Sequence, residues 1–330
     1  MSTALIHRAH DTALGRMADW TDLPDDERRR RAVAAARDHD RAALILLADA
    51  WLTLHGKAGA RVSDHTRRNY TQGARVLLDA WVHENLLHPR RDAGAVWLRV
   101  MEAEGLRPST IKVRLAAART LYAGLRWAGA TDVDPFRDAR PAKDPEKPWD
   151  KRGPYTPAEI AAMLDALDTA SATATPAART MARYDRVLVL LGAHAGLRAS
   201  EMIMLRWSDL DTVRRVITVH HGKGGKGRQV VMGSTLAAAL AAIPPEMRGE
   251  YVLPYRARNT ALYRMMRLTT RLGLTHTGVH RLRHSAGTRL MAETHDLQEV
   301  AELLGHAQIE TSRVYAHWTS ERQRATVGEW

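Results

Sequence analysis

Apolar side chains recur at intervals of three and four along most of this chain, the period of a helix with one buried face. Four such stripes lie between residues 40 and 130: HDRAALILLADAWLTLHG, SDHTRRNYTQGARVLLDAWVHENL, RDAGAVWLRVMEAEG and RPSTIKVRLAAARTLYAGLRWAG. Gly56, Gly105 and Gly129 stand where these helices should stop. Before them, Ala, Leu and Met are spaced helically over residues 3 to 19. A second helix begins near Pro24, where Asp25, Asp26 and Glu27 suit the positive end of the helix dipole. The pattern then breaks. Residues 131 to 153, TDVDPFRDARPAKDPEKPWDKRG, are polar and aperiodic and hold four prolines, which predicts a linker.

A fresh helix opens at Thr156-Pro157-Ala158-Glu159, with threonine as N-cap, proline at the first helical position and glutamate placed to close a capping box. The next helices are expected near 178 to 195, with the apolar centre VLVLLGAHAG stopping at Gly196, and at 199 to 206. There the period changes. TVRRVITVHH and RQVVMG flank the turn GKGGKG, and alternating β-branched residues on both sides of a glycine-rich turn predict a hairpin. Helices near 234 to 243, 257 to 272, 278 to 293, 296 to 304, 308 to 317 and 319 to 328 complete the chain. The expected fold is mainly α with a small antiparallel β-sheet. It divides into a helical N-terminal extension (1 to 39), an all-helical domain (40 to 130), the linker (131 to 153) and a second, α+β domain (154 to 330).

Composition adds a partner class. Among 330 residues, 49 Lys and Arg against 37 Asp and Glu leave a formal charge of +12. Such an excess favours a polyanion through counterion release, nucleic acid ahead of an acidic membrane or plain solubility. Arg67, Arg68, Arg75, Lys112, Arg114 and Arg119 lie between the apolar stripes, a basic complement consistent with phosphate contacts, although a solvated helix face explains any one of them equally well. The run Arg28 to Arg31 reads either way too. With no cysteine, a disulfide framework and a thiolate metal site are excluded. The first residues lack the apolar core of a signal peptide and no run of about 18 apolar residues occurs, so a cytoplasmic protein without a membrane partner is expected.

Chemistry concentrates in the second domain. Arg198, in GLRASEM, has Glu201 three residues on, an arrangement that presents a rigid guanidinium fork to a phosphate or makes an ordinary surface ion pair. Lys223 lies in the hairpin turn with Lys226 and Arg228 after it. The glycines allow a close approach to a substrate, and a plain basic hairpin gripping DNA fits as well. A P-loop is excluded, because Arg228 and Gln229 stand where Lys and Ser or Thr would be needed. His280 and Arg283 share one helical face, His284 follows, His306 ends an apolar helix, and Tyr315 sits in TSRVYAHW. Singly, each has a structural explanation.

Taken in order, Arg in GLRxSE, Lys in a GKGxKxR hairpin, HxLRH, LLGH and a tyrosine nine residues later resemble the tyrosine recombinase (phage integrase) family. The resemblance covers about 154 to 320, and the helical segment 40 to 130 is similar to the family's SAM-like core-binding domain, in a simple Xer-like or Cre-like architecture. It implies that Tyr315 is the nucleophile forming a 3′-phosphotyrosyl link and that Lys223 protonates the 5′-oxygen leaving group. Arg198 and Arg283 would bracket the nonbridging oxygens, with His280 and His306 donating hydrogen bonds or assisting proton transfer, and Glu201 and His284 supporting them. Gly225 stands where Asn is common and Met202 where Leu is common, and neither touches a catalytic role.

The chemistry suits these residue types. Two guanidinium forks and a lysine neutralise developing phosphoryl charge without a metal, and a cationic pocket favours the phenolate of a tyrosine whose ordinary pKa is about 10. Exchange of one phosphoester for another needs no cofactor. The partners implied are double-stranded DNA and a homotetramer or heterotetramer on two sites, with an accessory protein left open. A type IB topoisomerase and a noncatalytic DNA-binding protein are the competing readings. Because His306 and Tyr315 must reach one phosphate, a helix break is expected near Ala307 to Glu310.

Overall fold

The computed structural model describes residues 18–146, 153–173, 175–220, 227–276 and 278–305, which fall into two compact units dividing between Pro145 and Glu146. Each unit has its own core, and the architecture is mainly helical with one small antiparallel sheet, as the hydrophobic periodicity predicts.

The first unit is built from α1 (Asp25–Arg37), α2 (Arg41–His55), α3 (Asp64–Ala80), α4 (Ala93–Ala103) and α5 (Pro108–Trp127). Local chemistry sets their starts. Asp40 accepts hydrogen bonds from the backbone N–H of Ala42 and Ala43, both at 3.0 Å, and Ser63 accepts one from Thr66 at 3.2 Å. Helix α5 packs on α2 and α3, burying Leu44, Leu47, Leu77, Leu78, Leu121 and Leu125, each at about 2 to 3 kcal/mol of transfer free energy.

Two boundaries differ from expectation. Trp20, Ala32, Ala35 and Ala36 belong to the same core as Leu44, so residues 20 to 37 are part of this unit and not an appendage. Arg28 and Arg31 lie over the rings of Trp127 and Trp20, both at 4.7 Å, and Arg30 pairs with Glu27, so most of that basic run is spent on the unit itself. The second difference concerns the proline-rich stretch. Phe136 is fully buried, with ring centroids 5.4 Å from Trp81, 5.7 Å from Trp97 and 5.6 Å from Tyr122. Gly94 makes this possible, because a Cβ there would sit 2.0 Å from the Pro135 carbonyl oxygen. A single aromatic in a polar segment outweighs the surrounding charges once a pocket of rings receives it.

The second unit opens with α6 (Pro157–Thr173), whose capping box is formed: Thr156 N–H donates to Glu159 at 2.6 Å and Glu159 N–H to the Thr156 hydroxyl at 3.2 Å. Helix α7 (Pro176–Ala193) is the spine, with Val187 to Leu191 all buried. Around it lie α8 (Ala199–Met204), α9 (Ser234–Ala241), α10 (Arg258–Arg271), α11 (His280–Thr294) and α12 (Leu297–Leu304). The sheet has three strands in the order β1 (Leu210–Asp211), β2 (Val216–Val219) and β3 (Arg228–Val231), with Ile217 opposite Val230 and Val219 opposite Arg228. The expected strand from 212 to 221 is therefore shorter than its sequence pattern. Arg215 takes a left-handed φ of 54°, Asp211 accepts a bond from Arg214 N–H at 2.8 Å, and the resulting turn folds the run back on itself.

Candidate active site

The elements of the second unit bring three of the candidate residues to one place. Helix α7 ends at Gly196, which adopts a left-handed φ of 65°, and Arg198 follows as the N-cap of α8. Arg198 is held twice by Glu201, through its backbone N–H at 2.8 Å and its guanidinium at 2.7 Å, and its other Nη donates to the Gly305 carbonyl at 3.2 Å. The i to i+3 spacing read from sequence is thus a partly buried ion pair and not a surface one. Arg283, from the first turn of α11, is 1% exposed. It donates to the Gly196 carbonyl at 2.6 Å and to the Leu304 carbonyl. Two arginines from segments far apart in sequence therefore meet around the Gly196 turn and the end of α12.

His280 starts α11, on the same helical face as Arg283 and His284. Its ring packs edge-to-face on His284 at 4.8 Å. His280 stays exposed at its outer edge, yet the protein packed about the ring disfavours the charged imidazolium, and Arg283, Arg198 and Arg258 add repulsion that Glu201 only partly offsets. Its pKa lies below the ordinary imidazole range, so at neutral pH it is a neutral donor or acceptor. Arg258, at the start of α10, was not singled out from sequence, because only folding brings it near the histidine.

Glu201 is the electrostatic centre. Burial opposes its ionisation, but bonds from Arg228 and from the Arg198 backbone outweigh that penalty and draw its pKa down to about 2. Its carboxylate joins Arg198 on one side to Arg228 on the other, at 3.0 and 2.9 Å. Lys223, Lys226, His306 and Tyr315 lie outside the described residues, as do the hairpin turn, the expected helix break near Ala307 to Glu310 and the final two helices.

The remaining basic candidates separate by environment. Arg68, Arg75 and Lys112 are exposed on α3 and α5, and Arg114 is half-buried. Arg67 is instead paired with Asp49 in a partly buried site, its Nε donating at 2.7 Å. Arg119 donates to the carbonyls of Phe136 at 3.0 Å and Ala139 at 2.7 Å, fastening the proline-rich stretch to α5. A residue that sequence reasoning passed over, Arg281, does the same for the second unit: it donates to the Gly153 carbonyl at 2.6 Å and stacks over Tyr155 at 4.0 Å, tying the start of α11 to the entry of the unit. Among the described residues no group of three His, Asp or Glu side chains is placed to hold a metal, and no described helix is long and apolar enough to cross a membrane.

Comparison with known proteins adds independent observations. The phage integrase family pattern matches residues 155–322, and that of the phage integrase N-terminal SAM-like domain matches residues 57–129. The chain is 35% identical over 222 residues to tyrosine recombinase XerC of Xanthomonas campestris pv. campestris, a match covering 64% of this chain and 65% of that relative's length. With tyrosine recombinase XerC of Xylella fastidiosa it shares 31% identity over 287 residues, covering 82% of this chain and 92% of the relative. Its fold is similar to that of the XerH site-specific recombinase solved with a palindromic difH substrate, with a TM-score of 0.67 at 19% identity, covering 96% of this chain and 94% of that one. A lambda integrase dimer bound to a core site is also similar in fold, with a TM-score of 0.62 at 17% identity, covering 82% of this chain and 75% of that one. With both of its units matched, the chain belongs to the phage integrase, or tyrosine recombinase, family.

Proposed function

We propose that this protein is a site-specific recombinase that cuts and rejoins double-stranded DNA through a phosphotyrosyl intermediate. The observation that carries the reading is the convergence of Arg198 and Arg283, from α8 and α11, on the Gly196 turn and the end of α12, just before His306, with His280 near enough to both arginines to feel their charge. The Tyr315 phenol oxygen attacks the scissile phosphorus, forming a P–O bond to tyrosine as the bond to the 5′-oxygen breaks. Lys223 gives its proton to that oxygen, and the phenol proton passes to a neighbouring base. Arg198 and Arg283 meet the charge that develops on the nonbridging oxygens, and neutral His280 donates or accepts a hydrogen bond there, a role His306 shares, with His284 supporting the ring. Rejoining is the reverse attack by a 5′-hydroxyl, from the same strand or from a partner duplex. Neither direction consumes a nucleotide.

Exposed Arg68, Arg75 and Lys112, together with Arg114 and Lys226, supply phosphate contacts. The relatives' name, tyrosine recombinase XerC, favours an Xer-type recombinase over integration of a mobile element, and the exchange is read as one between two sites on a tetramer. The test is a nicked suicide substrate carrying the site recovered from DNA trapped on the protein in cells. Wild type accumulates a covalent protein–DNA adduct and Tyr315→Phe accumulates none; an adduct surviving that change overturns the assignment of the nucleophile.

A further inference from the structure

Arg228 reads from sequence as one more cation for DNA, yet its side chain is 11% exposed and each of its three guanidinium nitrogens already donates within the protein. Nε donates to the Leu303 carbonyl at 3.0 Å, and the two Nη atoms donate to Glu201 at 3.0 and 2.9 Å. Glu201 in turn holds Arg198, and the Gly305 carbonyl accepts from Arg198. One guanidinium therefore spans β3, α8 and the end of α12, the strand leading out of the Lys223 turn, the helix of Arg198 and the residues just before His306. Gly305 completes the fit. It sits at a φ of +59°, and a Cβ there would fall 2.9 Å from the Arg228 Cδ and 3.2 Å from its Nη1. Any side chain at this position displaces the arginine.

We infer that Arg228 is a positioning residue for strand cleavage and not a phosphate contact: it fixes Glu201, and through it Arg198, to the turn that precedes His306. The inference rests on the recombinase reading above. The charged and titratable groups facing Glu201 are Arg198 on its own helix, Arg228 on β3 and the neutral imidazole of His280 on α11. Without Arg228, burial still penalises the carboxylate while its largest compensating bonds are gone, so Glu201 takes up a proton at a higher pH and loosens Arg198.

Three readouts test this in the full chain. Arg228→Met is expected to slow adduct formation about a hundredfold, the scale of a small misplacement in a catalytic cradle. The slope of DNA affinity against salt stays unchanged, since no phosphate contact is lost. The variant also gains an acid limb in its cleavage pH profile that wild type lacks and that Glu201→Gln, added to Arg228→Met, removes. Arg228→Lys keeps the charge without the fork and does not restore the rate. Restoration by lysine, or a salt slope smaller by about 0.9 with an unaltered pH profile, overturns the inference. If Arg228→Met fails to fold, Gly305→Ala, which crowds the arginine without removing it, is expected to slow cleavage at an unchanged salt slope; a wild-type rate in that variant overturns it as well. The carboxyl of Glu201, followed by NMR in Arg228→Lys without DNA, is expected to titrate at a higher pH than in wild type. That measurement separates the two proposals: wild type that never cuts DNA refutes the recombinase reading and leaves only the link from Arg228 through Glu201 to Arg198, whereas a Glu201 titration unmoved by Arg228→Lys in a protein that cuts DNA refutes this inference alone.

Discussion

Phe136 offers a direct measure of how far the first unit extends. Replacing it with alanine removes a fully buried ring from contact with Trp81, Trp97 and Tyr122, in a segment whose sequence is otherwise polar. Buried Phe→Ala changes cost about 3 to 5 kcal/mol, and paired aromatics add about 0.5 to 1.5 kcal/mol each beyond area. Relaxation of a segment that runs over the surface recovers part of this, so about 4 kcal/mol is the expected loss. Against a domain stability of about 5 to 15 kcal/mol, that lowers the melting temperature of the unit by about 15 °C. Urea and thermal unfolding of the full chain, followed by tryptophan fluorescence, reports it through Trp81 and Trp97, two of the ring's own neighbours. Val133→Ala, in the same stretch but 37% exposed, serves as the control and should shift stability by under about 0.5 kcal/mol. A Phe136→Ala protein within about 1 kcal/mol of wild type would mean that the segment is a linker after all, and the packing argument would fail.

Other expectations follow from the same contacts. Gly94→Ala should cost about as much as other overpacking changes, 1 to 3 kcal/mol, because its Cβ meets the Pro135 carbonyl; stability equal to wild type would show that the stretch is free to move aside. Arg119→Gln should weaken the first unit by about 1 to 3 kcal/mol and leave the salt slope of DNA binding unchanged, whereas Arg68→Gln and Arg75→Gln should melt normally and each shrink that slope by about 0.9. The reverse pattern would restore Arg119 as a phosphate contact. Glu201 has a folded pKa drawn down to about 2 from an ordinary 4.5, so its contribution to stability is complete above the unfolded value and is lost as pH falls from 4.5 toward 2. The loss amounts to about 3 kcal/mol, and urea titrations across that window should show a shallower acid decline in Glu201→Gln; parallel declines would refute the linkage.

What the sequence made legible was local. The capping box at Thr156 and Glu159 forms as the spacing predicts, and Gly105, Gly129 and Gly196 all take the left-handed conformation that ends a helix. The pairing of Arg198 with Glu201 was visible as an i to i+3 step, and α11 places His280, Arg283 and His284 together as its period requires. What escaped was long-range. Nothing around Phe136 announces burial, since the rings that receive it come from residues 81, 97 and 122. Arg119 and Arg228 read as DNA contacts because charge is visible in a sequence and the buried carbonyl or carboxylate awaiting it is not. Helix α3 stops at Ala80 and not near Leu86, with Trp81 as its C-cap stacked on Phe136.

The bond from Arg198 to the Gly305 carbonyl joins residues 107 apart in the chain. At a synthesis rate of about 5 to 20 residues per second, Arg198 leaves the ribosome about 5 to 20 s before its partner exists. For most of that interval the growing polypeptide carries Arg198 and Glu201 but not Arg283, and for all of it the turn that locks them is missing. The order of the chain thus leaves the network of Arg198, Glu201 and Arg283 open until the residues at the end of α12 have been made.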